Sequence, residues 1–483
     1  KFLEITLGAY KREIGDQFGK RVPGSFTDEP HLAPAGGFHW TPDLPEVMQQ
    51  KYGYSIVDSL PSLTQPVGDW RAVRHDYYQT LLRLFIERWA KPYHDYCAAN
   101  NLEFTGHYWE HEWPNCKSAP DNMAMYAWHQ RPAIDTLFNE YDEGPHAQFG
   151  NVRAVIELAS AANQSGAKRT LCEAYGGGGW DLRFEDMKRI GDWLLALGVT
   201  TLDQHLSFIT MRGARKYDYP QSFSYHEPWW DSYHVMAKYF TRLSAALSHG
   251  APVAETLLIE PTTTAWMYQT DADRPHLDEI GSTFQKLVTD LAKAQVEFDL
   301  GSEDIIARQG SVEGSNLRVG KQVYKRVLIA PHTESLDAKT VELLDAFVKA
   351  KGELLCVGER ELKFVDGRPS QKAEALIANA AKTSSEEFIK LWTGDGAGSP
   401  RVTIDPESAN ATVYHMRRQF EDGDLLFLVN TRNDAHAKGS ITAAFSSVQQ
   451  WKLETGAVGP YQPANDDGKG HVTFDLPPSG SLL

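Results

Sequence analysis

The first 250 residues alternate two hydrophobic patterns, one with helical spacing and one of short apolar runs. Apolar residues recur every three or four positions over 2–19 and 70–99, and we predict further helices at 151–165, 184–197 and 229–248. Apolar runs at 22–27, 102–108, 132–137, 169–173 and 200–205 predict five short strands that end in polar residues. This α/β alternation is typical of a (β/α)8 TIM barrel. Since such a barrel needs eight strands and five are counted, we expect three strands upstream of Lys1.

The pattern changes twice after residue 250. Apolar strands at 253–259, 297–300, 326–330 and 353–357 alternate with helices at 277–295 and 337–350, which predicts a flavodoxin-like domain with a parallel sheet. Period-two runs follow at 401–404, 412–416, 425–430, 439–445, 450–453 and 471–476, which predict an antiparallel β-sandwich. We therefore predict a barrel over 1–250, a flavodoxin-like domain over 251–385 and a sandwich over 386–483.

Charge and composition exclude several classes of function. The net charge of −16 and the lack of a basic run argue against a nucleic-acid partner. No run of about 18 apolar residues predicts a membrane span. The four cysteines show neither a CxxC pair nor zinc-ligand spacing, although the sequence is compatible with a single disulfide bond. The sequence also lacks the glycine motifs that hold nucleotides, so we predict no organic cofactor.

Two acids stand at predicted strand ends. Glu29 follows the first strand within Thr-Asp-Glu-Pro, where Pro30 favours an extended backbone and Asp28 would raise the pKa of Glu29 by repulsion. Glu173 closes the fourth strand ahead of the glycines at 176–179, which allow a ligand to approach the backbone. Two carboxylates in one barrel mouth are the minimum apparatus for glycosidic bond cleavage. A helix cap or loop ion pair for Glu29, and a solvated turn for Glu173, are the alternatives.

Aromatic and imidazole side chains cluster after the same strands. We predict substrate contacts from His107 and from pocket walls made by Trp109, Trp113, Tyr175 and Trp180. His205 and Glu227 are further candidates, with a structural histidine and a helix cap as their alternatives. Glu110 and Glu112 could instead ligate a hard cation such as calcium, which prefers oxygen donors.

Three short strings resemble glycoside hydrolase family 106, the α-L-rhamnosidases: Ser-Phe-Thr-Asp-Glu-Pro at 25–30, Glu-Ala-Tyr-Gly at 173–176 and Pro-Pro-Ser-Gly-Ser-Leu-Leu at 477–483. The flavodoxin-like domain resembles that of the family 42 β-galactosidases. The order of motifs, which is similar to that of retaining glycosidases, implies that Glu29, His107, Asp135, Glu173 and His205 end barrel strands four to eight. Family 42 has a sugar-binding asparagine where this chain has Asp28. We therefore predict a substrate contact from Asp28, and the difference disfavours a plain β-galactosidase.

The family 106 resemblance implies an inverting reaction with Glu29 as general acid and Glu173 as general base, assisted by calcium. It also favours a bacterial periplasmic or secreted location. We expect a glycosidase that removes a terminal sugar, most simply α-L-rhamnose, with a carbohydrate substrate as its partner. Two alternatives stay open: a retaining β-galactosidase-like enzyme in which Glu173 attacks carbon, and an inactive carbohydrate-binding protein. The distance between the two carboxyl groups separates retention from inversion.

Overall fold

The computed structural model describes residues 1–32, 38–393, 401–404, 412–443, 445, 447–461 and 470–483. Its first domain holds one parallel sheet whose five strands lie side by side in chain order: β1 (Gly24–Thr27), β2 (Glu103–Gly106), β3 (Arg131–Thr136), β4 (Leu171–Ala174) and β5 (Leu202–Gln204). All five predicted strands are present, each within a few residues of its predicted position. Because the strands are parallel, the residues that follow them meet at one edge of the sheet.

Helices accompany this sheet in the predicted regions, and also at 44–52, 60–64 and 122–126, where none was predicted. They are α1 (Phe2–Ile5), α2 (Leu7–Ile14), α3 (Leu44–Tyr52), α4 (Leu60–Thr64), α5 (Trp70–Phe85), α6 (Lys91–Ala99), α7 (Asn122–Tyr126), α8 (Val152–Ser165), α9 (Phe184–Ala196) and α10 (His234–Leu247). The predicted helix over 70–99 is continuous, but it widens into a π-helical turn at Ile86–Ala90. Pro92 follows this turn and lacks the N–H that would bond to the carbonyl of Arg88, which accounts for the widening.

The second domain is built on a five-stranded parallel sheet. Its segment of the chain contains β6 (Ala251–Pro252), β7 (Thr256–Ile259), β8 (Phe298–Gly301), β9 (Gly310–Glu313), β10 (Asn316–Val319), β11 (Gln322–Tyr324), β12 (Arg326–Ile329), β13 (Ser335–Leu336), β14 (Glu353–Val357), β15 (Phe364–Val365), β16 (Arg368–Pro369) and β17 (Ala381–Thr383). Its helices are α11 (Thr262–Trp266), α12 (Arg274–Lys293), α13 (Glu303–Gln309), α14 (Ala338–Lys349), α15 (Gln371–Asn379) and α16 (Ser385–Thr393). The parallel sheet has the order β17-β14-β12-β7-β8, which is the flavodoxin-like order. The small sheets β9–β11 and β13-β15-β16 were not predicted.

The third domain consists of antiparallel sheets, as the period-two pattern predicts. Its strands are β18 (Arg401–Ile404), β19 (Val413–Gln419), β20 (Asp424–Asn430), β21 (Ala437–Ala443), β22 (Gln449–Trp451), β23 (Val458–Pro460), β24 (Gly470–Leu476) and β25 (Ser481–Leu482). The sheet β18-β21-β24 accompanies a second sheet, β25-β20-β19-β6, and β22 pairs with β23. Residue 444 of the predicted strand 439–445 lies outside the described residues.

The domain boundaries differ from the predicted ones in two places. Strand β6, which comes directly after the barrel, pairs with β19 and so belongs to a sheet of the third domain. Helix α16, which begins at Ser385, packs against α12 of the second domain. The four cysteines are free and buried. Within the described ranges, no helix combines the length and apolar character that crossing a membrane requires.

Candidate functional site: a carboxylate cluster around His107

Polar side chains from four neighbouring strands converge at the carboxyl edge of the barrel sheet. His107 directly follows β2, and its backbone N–H donates to the Thr27 carbonyl at the end of β1. In the sheet register, Asp135 on β3 lies beside Glu173 on β4. The close contact between β1 and β2 requires glycine at 106, because a Cβ there would lie 2.2 Å from the Thr27 carbonyl oxygen. These contacts place His107 among the acids of the mouth.

His107 is the centre of this cluster. Its ring is 1% exposed, and Nε2 lies 3.0 Å from Oε2 of Glu173 and 3.7 Å from Oδ1 of Asp28. Burial by itself would lower the pKa of His107. The hydrogen bond to Glu173 and the charges of Glu110 and Asp135 outweigh burial and raise this pKa to about 10. His107 therefore carries a proton, and a positive charge, at neutral pH.

Glu173 is ionised in this setting. Burial acts to raise its pKa, but the hydrogen bond from His107 and the positive charges of His107 and His205 hold the pKa below its usual value. Nε2 of His205 lies 3.9 Å from Oε1 of Glu173. His205, predicted to end the strand that follows the strand of Glu173, thus lies beside that acid.

Glu29 is shifted in the opposite direction. Burial is the largest cause of its raised pKa, and the negative charges of Asp28 and Glu173 add to it, while His107 opposes them. Asp28 therefore acts as predicted, although burial acts more strongly. The expectation of an extended backbone at Glu29 is wrong: its φ is 46°, and its carbonyl bonds to Nδ1 of His31 at 2.8 Å. Tertiary contacts override the preference that the following proline sets.

Asp135 is a third acid in the mouth, one that sequence reasoning placed at a strand end but left out of its site. Its Oδ1 is buried and makes no hydrogen bond to the described residues. Atoms of Asp135, Glu29 and His107 lie within 4.8 Å of one another, as do atoms of Asp28, His107 and Glu173. Burial raises the pKa of Asp135 to about 8, against the opposing charge of His107. A polar residue inside the apolar run 132–137 is the signal that points to it.

Several predicted substrate contacts lie near the surface, in loops after the strands. Trp109 is half-buried and packs edge-on against His31, with ring centroids 5.6 Å apart. Trp180 is also half-buried, and its Nε1 donates to the Lys216 carbonyl at 2.8 Å. Glu227 is buried and accepts a hydrogen bond from the Ser222 backbone N–H at 3.3 Å. Glu227 thus holds a loop after β5 and does not cap the helix that follows, as its alternative proposed.

Two predicted pocket walls are core residues instead. Trp113 is 3% exposed, donates from Nε1 to Oγ1 of Thr262 at 3.1 Å and packs on Phe284 of the second domain. Tyr175 is 1% exposed, and its hydroxyl donates to the Met187 carbonyl at 3.1 Å. The prediction that either ring lines the pocket is wrong, because each is enclosed by other elements of the fold.

Other aromatic rings, which sequence reasoning missed, stand at the mouth. Phe138 is 45% exposed, and Tyr219 is 47% exposed. Both rings lie over the turn at Gly177, and Tyr219 packs near His205 with ring centroids 6.1 Å apart. Exposed rings next to buried acids offer flat apolar faces of the kind that sugar rings stack on.

The predicted calcium ligands do not form a site. Glu110 is 1% exposed, and its two carboxylate oxygens accept from the backbone N–H of Asp135 at 2.5 Å and from the Tyr126 hydroxyl at 3.2 Å. Glu112 accepts instead from the Ser118 hydroxyl at 2.7 Å. Among the described residues, no group of three potential metal ligands includes either glutamate. Calcium needs six to eight oxygen donors, so this pair does not fit it.

Paired carboxylates of divergent pKa at the carboxyl edge of a barrel are the arrangement that glycoside hydrolases use. Comparison with known sequences identifies the family. The sequence model of glycoside hydrolase family 106, described as alpha-L-rhamnosidase, matches residues 1–462. The chain therefore belongs to this family.

Solved structures show the same fold. A rhamnosidase from Novosphingobium sp. PP1Y superposes with a TM-score of 0.76 at 19% identity, over 100% of this chain and 46% of that one. An exo-carrageenase of family 42 from Bacteroides ovatus gives 0.61 at 11% identity, over 94% and 65% of the two chains. A family 42 β-galactosidase from G. stearothermophilus gives 0.60 at 10% identity, over 92% and 76%. At these identities the likeness establishes the fold, including the TIM barrel.

A curated relative comes from Formosa agariphila and carries the provisional name beta-glucuronidase. It is 21% identical over 473 residues, which are 92% of this chain but 36% of the relative. The chain thus spans less than half the length of this relative and of the Novosphingobium rhamnosidase.

Proposed function

We propose that this chain carries the active site of a glycoside hydrolase that removes a terminal α-L-rhamnose from a carbohydrate substrate. Glu29 acts as the general acid and Glu173 as the general base of an inverting reaction. The observations that carry the two roles are the positions of both carboxylates beside His107 and their opposite pKa shifts. The inverting course follows from the family resemblance. Membership of the α-L-rhamnosidase family supports the choice of sugar.

Each group has a definite task in this mechanism. Glu29, whose pKa is raised by burial and by the charges of Asp28 and Glu173, donates a proton to the leaving glycosidic oxygen. Glu173, ionised beside His107, takes a proton from a water molecule as the water attacks the anomeric carbon. His107 holds Glu173 in place through the 3.0 Å hydrogen bond and keeps it charged. The exposed rings of Phe138 and Tyr219 stack on the sugar.

A retaining β-galactosidase-like reaction is the second candidate, and it is favoured by the family 42 enzymes among the structures with this fold. In that reaction Glu173 attacks the anomeric carbon directly. We also propose a periplasmic or secreted location, which the family resemblance implies. The calcium that the resemblance implies would need ligands other than Glu110 and Glu112.

The test is hydrolysis by the whole chain of aryl α-L-rhamnoside, aryl β-D-galactoside and aryl β-D-glucuronide. We expect turnover of the rhamnoside, strongly reduced in both Glu29→Gln and Glu173→Gln. An anomer-resolved NMR time course then shows whether the first product keeps or inverts its configuration. Unchanged turnover in both variants would remove the two-carboxylate mechanism, and binding without turnover in the parent would make this a carbohydrate-binding protein.

A further inference from the structure

A cavity of about 610 Å³ lies at the junction of all three domains, away from the carboxylate mouth. Its barrel residues include Thr170 and Thr200, which precede β4 and β5 and so lie at the amino edge of the sheet. The second domain contributes 296–299 and Lys321, and the third contributes 415–418. A volume of this size is typical of small-molecule sites, which often lie between domains.

The cavity is basic, although the chain as a whole carries a charge of −16. Its cationic lining residues are Lys168, Arg169, Lys321, Arg417 and Arg418, and its acidic lining residues are Glu297 and Asp299. Glu297 is already bound to Arg417 and lies 3.8 Å from His415. Asp299 is buried and accepts hydrogen bonds from Asn163 at 2.9 Å and from Tyr324 at 2.8 Å. Both acids are therefore engaged within the protein.

Arg418 lines this cavity and bonds to backbone carbonyls there. Its guanidinium donates to the backbone carbonyls of His249 at 3.0 Å and Gly250 at 2.7 Å. Among the described residues, no aspartate or glutamate forms an ion pair with it. Burial lowers the pKa of Arg418, as expected for a cation that is desolvated without a counter-charge.

Three further basic residues line the same cavity. Lys168 and Arg169 come from the loop before β4, and Lys321 comes from the second domain. The stem of Lys321 lies over Gly166, where a Cβ would meet its Cγ at 3.0 Å, so this lysine reaches the barrel loop. No salt bridge joins any of the three to a residue in the described ranges. Basic residues from three domains thus line one cavity.

We propose that this junction cavity binds a small oxyanion-bearing ligand, whose carboxylate, sulfate or phosphate group is held by Arg418, Arg169 and Lys321. The chemistry fits either a free inorganic anion or an acidic sugar. Guanidinium groups bind such planar or tetrahedral oxyanions with paired hydrogen bonds. Because each of the three cations belongs to a different domain, the bound ligand would fasten the domains together and raise the melting temperature.

The test measures thermal unfolding and calorimetric binding with sulfate, phosphate, D-glucuronate and neutral L-rhamnose. Sodium chloride keeps the ionic strength equal throughout. The variants are Arg169→Gln with Lys321→Gln, and the matched control Lys372→Gln, which removes an exposed lysine of α15 away from the cavity. We expect the anions to stabilise the parent and the control, and to bind the double variant at least about ten-fold more weakly.

The two ligand sources separate in the same experiment. Glucuronate that binds more tightly than sulfate and phosphate identifies an acidic sugar, whereas equal binding identifies an inorganic anion. Anions that stabilise the parent no more than sodium chloride, or a double variant that keeps the full response, would overturn the proposal. The anion titration is repeated with the Glu173→Gln variant. Anion binding at the cavity should persist in this variant, so the result does not depend on the active-site mouth.

Discussion

Nε2 of His107 lies 3.0 Å from Oε2 of Glu173, and this contact keeps the pKa of Glu173 low while burial raises the pKa of Glu29. The imidazolium lowers the pKa of Glu173 through a hydrogen bond and a nearby charge. The imidazolium also acts to lower the pKa of Glu29, but burial outweighs it and raises this pKa. The buried His107 cation therefore favours the charged form of Glu173, while the pKa of Glu29 stays raised.

Replacing His107 should shift the pH profile of hydrolysis to higher pH. In His107→Gln the charge that lowers the pKa of Glu173 is gone, so this pKa rises and the acid limb of kcat/KM moves upward. The pKa of Glu29 also loses an opposing charge, so the alkaline limb should move in the same direction. The measurement is kcat/KM against pH for parent and variant. An acid limb that stays in place would show that His107 does not control Glu173.

Removing the general acid should matter most for poor leaving groups. In Glu29→Gln we expect kcat/KM to fall by about 10²–10⁴ for an alkyl or phenyl glycoside and much less for a dinitrophenyl glycoside. A dinitrophenolate leaves without protonation, so it does not need the acid. Glu173→Gln should lose activity on both kinds of substrate. The matched control is Glu374→Gln, an exposed position on α15 that should behave like the parent.

Asp135→Asn should stabilise the protein, and more so at alkaline pH. The pKa of Asp135 is raised to about 8 in the folded chain, against about 4 when unfolded. The folded state therefore binds the proton more tightly, and stability is lost as the pH rises from about 4 through 8. Asparagine removes this loss. Melting temperatures of parent and variant should agree near pH 4 and diverge by pH 8, whereas the exposed control Asp58→Asn should show no divergence.

Glu112→Gln should leave any response to calcium unchanged, because the Glu112 carboxylate is bound to Ser118 and not to a ligand cluster. The measurement is hydrolysis by parent and variant after chelation and after calcium is restored. A response that disappears in the variant alone, with an unchanged melting temperature, would reinstate Glu112 as a ligand.

Trp113→Phe should weaken the fold, whereas Tyr219→Ala should weaken substrate binding. The first variant loses the hydrogen bond to Thr262 and leaves space between two domains, at about 1–3 kcal/mol of unfolding free energy. The second removes an exposed ring at the mouth and should raise KM. Chemical unfolding and steady-state kinetics on both variants separate the two effects. A raised KM in Trp113→Phe, without loss of stability, would show that Trp113 contacts the substrate.

The barrel strands and the acids at their ends could be predicted because an apolar run that breaks into polar residues leaves a local signal. The sequence carries no such local signal to show which aromatic ring faces the substrate. Tyr175 follows Glu173 by two positions, yet its φ of 74° and its bond to Met187 turn it into the core. The same limit explains why Phe138 and Tyr219 were missed, since only the folded loops bring them over Gly177.

Strand pairs of three or four residues were missed for a different reason. β9, β10 and β11 contain too few positions for a period of two to stand out, although Gly314 and Gly320, with φ of 59° and 56°, make the turns between them. The junction cavity could not be predicted either, because its cations come from segments far apart in the chain.

The pairing of β6 with β19 has a consequence for engineering by domain exchange. The two residues that leave the barrel complete a sheet of the third domain, and Arg417 of that sheet is the partner of Glu297 in the second. Joining a foreign β-sandwich to residues 1–385 would expose the edge of β6. It would also leave the buried Glu297 carboxylate without its partner Arg417. The three domains are consequently interdependent, so recombination with relatives should exchange all three together.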